Sequence, residues 1–338
     1  MADLTTTVAG VRWRNPLWLA SGIWGESGES LRGAYEAGAG AVITKSIGSG
    51  PRPGYPNPTV EPLGPVGMLN ALGLPNPGIE EYPREIEKAV SAGVPVIGSI
   101  FGGSANEFTA LARAMSRTGV RAIELNLSCP HAEGFGTEVG SDPHLVERIV
   151  RRVRAATTLP VIAKLTPNTS DPGALARAAE RGGANAVSAI NTVRGLAIEP
   201  ELRRPVLAHG IGGLSGPAIK PVGLACVWQI YEAIDLPIVG IGGISTATDV
   251  VEYLLAGASA VEIGTAVAQD GIEVFGTVAK ALSDWMDRHG VGELAELIGA
   301  AHPGRRAKRG SPRRTRSVAS HRRRRVSVVR GRSPPAML

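Results

Sequence analysis

Three stretches of the sequence bring together residue types that could do chemistry. The first is "ELNLSCPHAEGFGTEVGSDP". Asn126 and Ser128 are spaced as residues sharing one strand face, and Cys129 opens a loop in which Gly134 and Gly136 loosen the backbone. A cysteine at a strand end beside a bound ligand can act as a base or a nucleophile. The plainer alternative, a small buried filler, suits Cys226 in the helical "GLACVWQIY". The second feature is a pair of lysines inside apolar runs, Lys45 in "AVITKS" and Lys164 in "PVIAKLTP". An ammonium in such a run needs an anionic partner. Neither run contains Asp or Glu, so the expected partner is a ligand shared at the strand ends rather than a rim carboxylate reached by snorkelling. The third is two glycine turns, "GIGG" (Gly240–Gly243) and "EIGTA" (Glu262–Ala266), where bare backbone N–H groups could cradle a phosphate.

These residues need elements to hold them. Short Val- and Ile-rich runs recur at Pro16–Ser21, Ala41–Ser46, Pro95–Phe101, Ala122–Ser128, Pro160–Thr166, Ala186–Asn191, Pro237–Gly242 and Ala260–Thr265. Helical periodicity follows several of them, at Asn106–Arg117, Pro143–Ala156, Pro172–Arg181 and Thr246–Ala256. Eight doubly buried strands alternating with helices over about 280 residues predict an α/β fold, a (β/α)8 TIM barrel. A doubly wound open sheet would place its glycine turn after the first strand; here the glycine pairs follow the last two. Long Pro- and Gly-rich connections run over 48–78 and 193–222, both leaving the strand ends where barrels place their chemistry.

Composition narrows the class. The net charge of +6 is misleading, because thirteen of the 36 Lys and Arg lie in residues 302–338, which contain no acid. The other 23 face 30 Asp and Glu, so residues 1–301 sum to −7 and no nucleic-acid partner is expected. The tail has no apolar period and carries one sign of charge, which predicts disorder, so the expected division is a barrel over 1–301 and a basic tail over 302–338. Two cysteines are too few for a disulfide framework, and neither a secretory signal nor an eighteen-residue apolar run is present. A cytoplasmic protein without membrane or metal sites is expected.

Nine blocks, in order over roughly residues 10–290, resemble the class 1 dihydroorotate dehydrogenases. They are "ASG" (Ala20–Gly22), "TKS" (Thr44–Ser46), "NALGLPNPG" (Asn70–Gly78), "NLSCP" (Asn126–Pro130), "AKLTPN" (Ala163–Asn168), "INT" (Ile190–Thr192), "GGLSGPAIKP" (Gly212–Pro221), "GIGGI" (Gly240–Ile244) and "EIGTA". The resemblance implies FMN at the barrel mouth, its phosphate on Gly242, Gly243, Gly264 and Thr265. Ser21, Lys45, Ser46, Asn126, Lys164, Ile190 and Gly216 match the other flavin contacts, with Lys164 beside the pyrimidine edge. Substrate positions match at Lys45, Asn70, Ala71, Leu72, Gly73, Leu74, Asn126, Asn191 and Thr192. The implied reaction is oxidation of dihydroorotate to orotate in pyrimidine biosynthesis. Cys129 as thiolate removes the C5 proton while hydride leaves C6 for the flavin.

A cysteine at 129 resembles the soluble class, whereas the class 2 membrane enzymes use serine there. "SCPHAEGFG" is most similar to type 1B, which implies a homodimer working with a second subunit that carries FAD and an iron–sulfur cluster. Two cysteines cannot ligate such a cluster, which needs about four thiolates. The sequence departs from the family pattern at His131 and Ser99, where many members have Asn. "NLSCPH" and "KLTPN" also resemble the pyrimidine-reducing domain of dihydropyrimidine dehydrogenase, whose catalytic cysteine would fall at Val139. Reduction of uracil-type pyrimidines is therefore the alternative activity, and a non-redox phosphate-binding barrel the alternative class.

Overall fold

The computed structural model describes residues 2–127 and 137–303. Its frame is eight short parallel strands: β1 (Leu17–Leu19), β2 (Ala41–Ile43), β3 (Val96–Ile100), β4 (Ala122–Asn126), β5 (Val161–Leu165), β6 (Ala186–Ala189), β7 (Ile238–Ile241) and β8 (Ala260–Ile263). They pair in sequence order, and β8 pairs with β1 to close a barrel. All eight fall inside the predicted runs. Each strand alternates its side chains between two buried environments, as the period of two requires. Outward residues such as Leu17, Val42, Ile123, Val161, Val187 and Val261 pack under the helices. The inward set of Trp18, Ala41, Ile97, Ala122, Ile162, Ala186, Val239 and Ala260 fills the lower half of the barrel. One inward position further along, the residues become Ser99, Glu124, Lys164, Ser188 and Glu262, all buried. The interior thus turns from apolar to polar toward the C-terminal ends of the strands.

Eight principal helices cover the barrel: α1 (Gly28–Glu36), α2 (Pro83–Ser91), α3 (Ala105–Met115), α4 (Pro143–Arg154), α5 (Pro172–Arg181), α6 (Lys220–Ala233), α7 (Ala247–Ala256) and α8 (Val274–His289). Local chemistry starts them. Asp142 and Asp171 cap α4 and α5, each followed by Pro at the first helical position, and Thr246 with Asp249 forms a capping box on α7.

Three features depart from the sequence reading. A hairpin of Thr6–Val8 and Val11–Trp13 precedes the first expected strand and plugs the barrel floor, with Trp13 and Trp18 ring centroids 4.9 Å apart. The two long connections are not plain loops either. Val60–Pro62, Met68–Asn70, Gly212–Ser215 and Val193–Gly195 form one antiparallel sheet over the barrel mouth. The folded body also passes the expected boundary at 301. His302 is buried, its ring stacks 3.5 Å from that of Trp228, and its Nε2 lies 3.0 Å from the Ala256 carbonyl oxygen. Among the described residues no helix is long and apolar enough to cross a membrane.

Candidate active site

A cavity opens where the polar layer of the barrel meets the mouth sheet. Its wall includes Ser21, Lys45, Ser46, Asn126, Lys164 and Ile190, six of the positions expected to contact a cofactor. Gly216, Gly242, Gly243, Gly264 and Thr265, the remaining five, line it as well. Asn70, Leu72, Gly73, Leu74, Asn191 and Thr192 close it from the side of the two insertions. Ala71 does not belong to the wall: it is fully buried with Leu69 and Leu207 on the face of the mouth sheet away from the cavity, because its neighbours Asn70 and Leu72 take the opposite face. Cys129, Ser128, His131 and the loop glycines 134 and 136 lie outside the described residues. Val139 is buried in the helix-facing core.

The hydroxyls and amide of the wall form a chain. Asn126 Nδ2 donates to Ser46 Oγ at 2.9 Å, and Ser46 lies 3.2 Å from Ser21 and 2.9 Å from Ser99. Ser99 then donates to Glu124 at 3.3 Å, and Ser188 donates to the other Glu124 oxygen at 3.0 Å. Ser99, one of the departures from the family pattern, is therefore an interior link between cavity and carboxylate. On the substrate side the Asn70 amide donates to the Gly213 carbonyl at 3.2 Å, tying the two insertions together.

The lysines do not need a ligand as partner, contrary to the expectation. Lys164 Nζ lies 2.9 Å from Glu262 Oε2 and 3.7 Å from Glu124 Oε1, all three side chains nearly inaccessible. These acids come from β8 and β4, so inspection of β5 alone could not find them. Burial by itself would lower the Lys164 pKa, but the two carboxylates outweigh it and hold the ammonium above its ordinary value. Burial pushes the Glu262 carboxyl well above the carboxylate range; Glu124 adds to this and Lys164 only partly offsets it. Lys45 pairs with Glu26, which stands exposed in the connection after β1. The readable signal was a carboxylate inside an apolar strand, at "IELN" and "VEIG".

The glycine turns adopt backbone geometry that favours glycine. Gly242 and Gly243 have φ of +126° and +67°, and a Cβ on Gly243 would come 2.8 Å from the Gly216 carbonyl oxygen. Asp249 takes the N–H groups of Ser245 and Thr246 at 3.0 and 2.8 Å and binds Lys220 at 2.7 Å. Burial would raise its pKa, but the Lys220 hydrogen bond and these N–H donors lower it. That carboxylate fixes the turn from behind. Across the cavity Thr265 Oγ1 donates to Ser215 Oγ at 2.9 Å, joining the β8 turn to the mouth sheet. Cys226 is buried and its thiol is pushed up to about 11, so it is core rather than chemistry. Among the described residues no cluster of His, Cys, Asp and Glu is disposed to hold a metal.

The family described as dihydroorotate dehydrogenase matches residues 3–286. A protein of Pyrococcus furiosus named as the catalytic subunit of dihydroorotate dehydrogenase B (NAD(+)) is 51% identical over 292 residues, 86% of this chain and 96% of that one. A protein of the same name from Methanocella arvoryzae is 48% identical over 299 residues, 88% and 98% of the two chains. A crystal structure of the Eimeria tenella enzyme DHODH in complex with ferulenol superposes with a TM-score of 0.78 over 89% of each chain, at 21% identity, a likeness of fold.

Proposed function

The chain belongs to the dihydroorotate dehydrogenase family, and we propose that it is an FMN-binding catalytic subunit that oxidises dihydroorotate to orotate in pyrimidine biosynthesis. The observation that carries this reading is one cavity whose wall combines a glycine cradle, a buried ammonium and a set of amides and hydroxyls.

The donor set suits FMN. The Gly242–Gly243 turn offers backbone N–H groups where a side chain would clash, and with Gly264 and Thr265 it would take the phosphate. Lys164, whose ammonium is buried between Glu124 and Glu262, would face the pyrimidine edge and stabilise negative charge there. Ser21, Ser46 and Asn126 supply further donors, and Ile190 and Gly216 an apolar flank. Bound FMN supplies the acceptor for the hydride that leaves C6 of dihydroorotate.

The chain's own residues do the rest. Cys129, as thiolate, takes the proton from C5. Lys45 provides a cation at the mouth that suits the substrate carboxylate, which would compete with Glu26 for it. Asn70, Asn126, Asn191 and Thr192 present amides and a hydroxyl to the paired donors and acceptors of the substrate ring. The mouth sheet restricts water around them. The names of the relatives specify a catalytic subunit, which supports a second subunit; on the family resemblance of the sequence, that partner would carry FAD and an iron–sulfur cluster and assemble with a homodimer of this chain.

The test is anaerobic titration of the purified chain with dihydroorotate, followed by flavin absorbance. The expected result is yellow protein that bleaches, with Cys129→Ser keeping its flavin but bleaching at least about a hundredfold more slowly near neutral pH. Colourless protein unable to take up FMN would remove the flavin reading. Yellow protein that ignores dihydroorotate but, once reduced with dithionite, is reoxidised by uracil would move the activity to pyrimidine reduction.

A further inference from the structure

Two carboxyl groups share one ammonium inside the barrel, and their surroundings differ. Glu124 is satisfied at both oxygens, by Ser99 and Ser188. Glu262 accepts through Oε2 from Lys164 at 2.9 Å, and its carboxyl lies within side-chain hydrogen-bonding reach of Glu124. Its other oxygen, Oε1, is buried and has no hydrogen-bond partner among the described residues. Glu262 is 1% exposed, yet it belongs to the cavity wall, which Glu124 does not. A carboxylate oxygen buried with no protein donor, beside a second carboxylate, is among the least favourable arrangements a protein can hold. The same oxygen as a carboxylic O–H is a donor awaiting an acceptor.

We infer that Glu262 is kept as a neutral carboxylic acid whose hydroxyl donates a hydrogen bond to the flavin ring edge that Lys164 faces, while its carbonyl oxygen accepts from Lys164. This rests on the flavin reading above and adds a ligand-binding residue to it. The charge count agrees: with Glu262 protonated, the Glu124–Lys164 pair is neutral, whereas three ionised groups would leave one uncompensated negative charge. Burial and the neighbouring Glu124 act in the same direction. Lys164 and Glu124 are the charged groups that face this side chain across the barrel, from β5 and β4. Glu262 thereby acts on the ring directly and also aligns the lysine.

Two measurements on the FMN-loaded chain test this. The first is the infrared difference spectrum between wild type and Glu262→Gln near neutral pH. A carbonyl-stretch band of a protonated carboxylic acid, present in wild type and missing from the variant, is expected; its absence overturns the inference. The second is the FMN dissociation constant and the flavin midpoint potential. Glu262→Gln retains a donor and an acceptor without charge, so both quantities stay near wild type. Glu262→Met keeps the volume but loses the donor, so FMN binding weakens about tenfold. Its potential falls by about 30 mV, a tenfold change for a two-electron couple. If Glu262→Gln instead raises the potential by that amount, the wild-type group is an ionised carboxylate and the inference fails. A chain that takes up no FMN overturns this inference together with the flavin reading, whereas a loaded chain lacking the acid band overturns this one alone.

Discussion

At the scale of single residues, Glu262 carries a consequence for stability. Its folded pKa lies above the ordinary carboxylate value because burial and Glu124 oppose its ionisation. The folded chain therefore holds a proton that the unfolded chain has released. Stability is fully present below the unfolded pKa and is lost as pH rises toward the folded one, by at most about 1.4 kcal/mol per pH unit. Lys164, shifted upward from an already basic value, loses its contribution only at higher pH and does not mask this window. Glu262→Gln has no proton to give up. Urea unfolding at about pH 5 and about pH 8 should show the variant gaining on wild type with pH, by about 1 kcal/mol or more; a gap that stays constant would contradict the assignment. This carboxyl also marks where sequence reading stops at this scale. A lysine inside "PVIAKLTP" is visibly in need of a partner. Yet Glu262 is 98 residues away and meets Lys164 only once β8 closes on β1. The expectation that a ligand supplies the counter-charge failed because each strand shows a charge in an apolar run but not which strand faces it across the closed barrel.

At the scale of elements, the eight barrel strands and the helices between them were legible for two reasons. Burial on both faces selects β-branched and aliphatic residues in short runs, and capping residues mark where several of the intervening helices begin. The mouth sheet was not legible. Its strands are three or four residues long and lie among Pro and Gly, too short for any alternation of apolar and polar residues to stand out. What holds it together is close backbone approach. Gly67 has φ of +140°, and a Cβ there would lie 1.9 Å from the Ser215 carbonyl oxygen. Gly67→Ala must therefore push Met68–Asn70 away from Gly212–Ser215, both of which contribute to the cavity wall. The barrel core does not pass through this contact. The expected outcome is a rise of about tenfold in KM for dihydroorotate, about 1.4 kcal/mol of lost binding, with little change in melting temperature. A variant with wild-type KM would show that the mouth sheet does not shape the substrate site.

At the scale of the whole molecule, charge and packing divide the chain at different places. Charge changes character in the region of residues 302–338, with thirteen basic residues and no acid. Packing continues through His302, whose ring sits between Trp228 and Tyr231 of α6 and whose Nε2 meets the carbonyl oxygen of Ala256 at the end of α7. The chain after α8 thus returns to α6 and α7, and among the described residues His302 is the last to fasten it. One buried hydrogen bond and one aromatic stack contribute about 2 kcal/mol together. In a domain of this size that corresponds to about 4 °C in melting temperature. Cutting the chain after residue 303 should leave the melting temperature and the dihydroorotate-dependent bleaching within error of the full chain. His302→Ala in the full chain should lower the melting temperature by about 4 °C without slowing bleaching. If instead the cut after 303 costs as much as His302→Ala, the basic segment itself takes part in the fold, and the boundary belongs further along the chain.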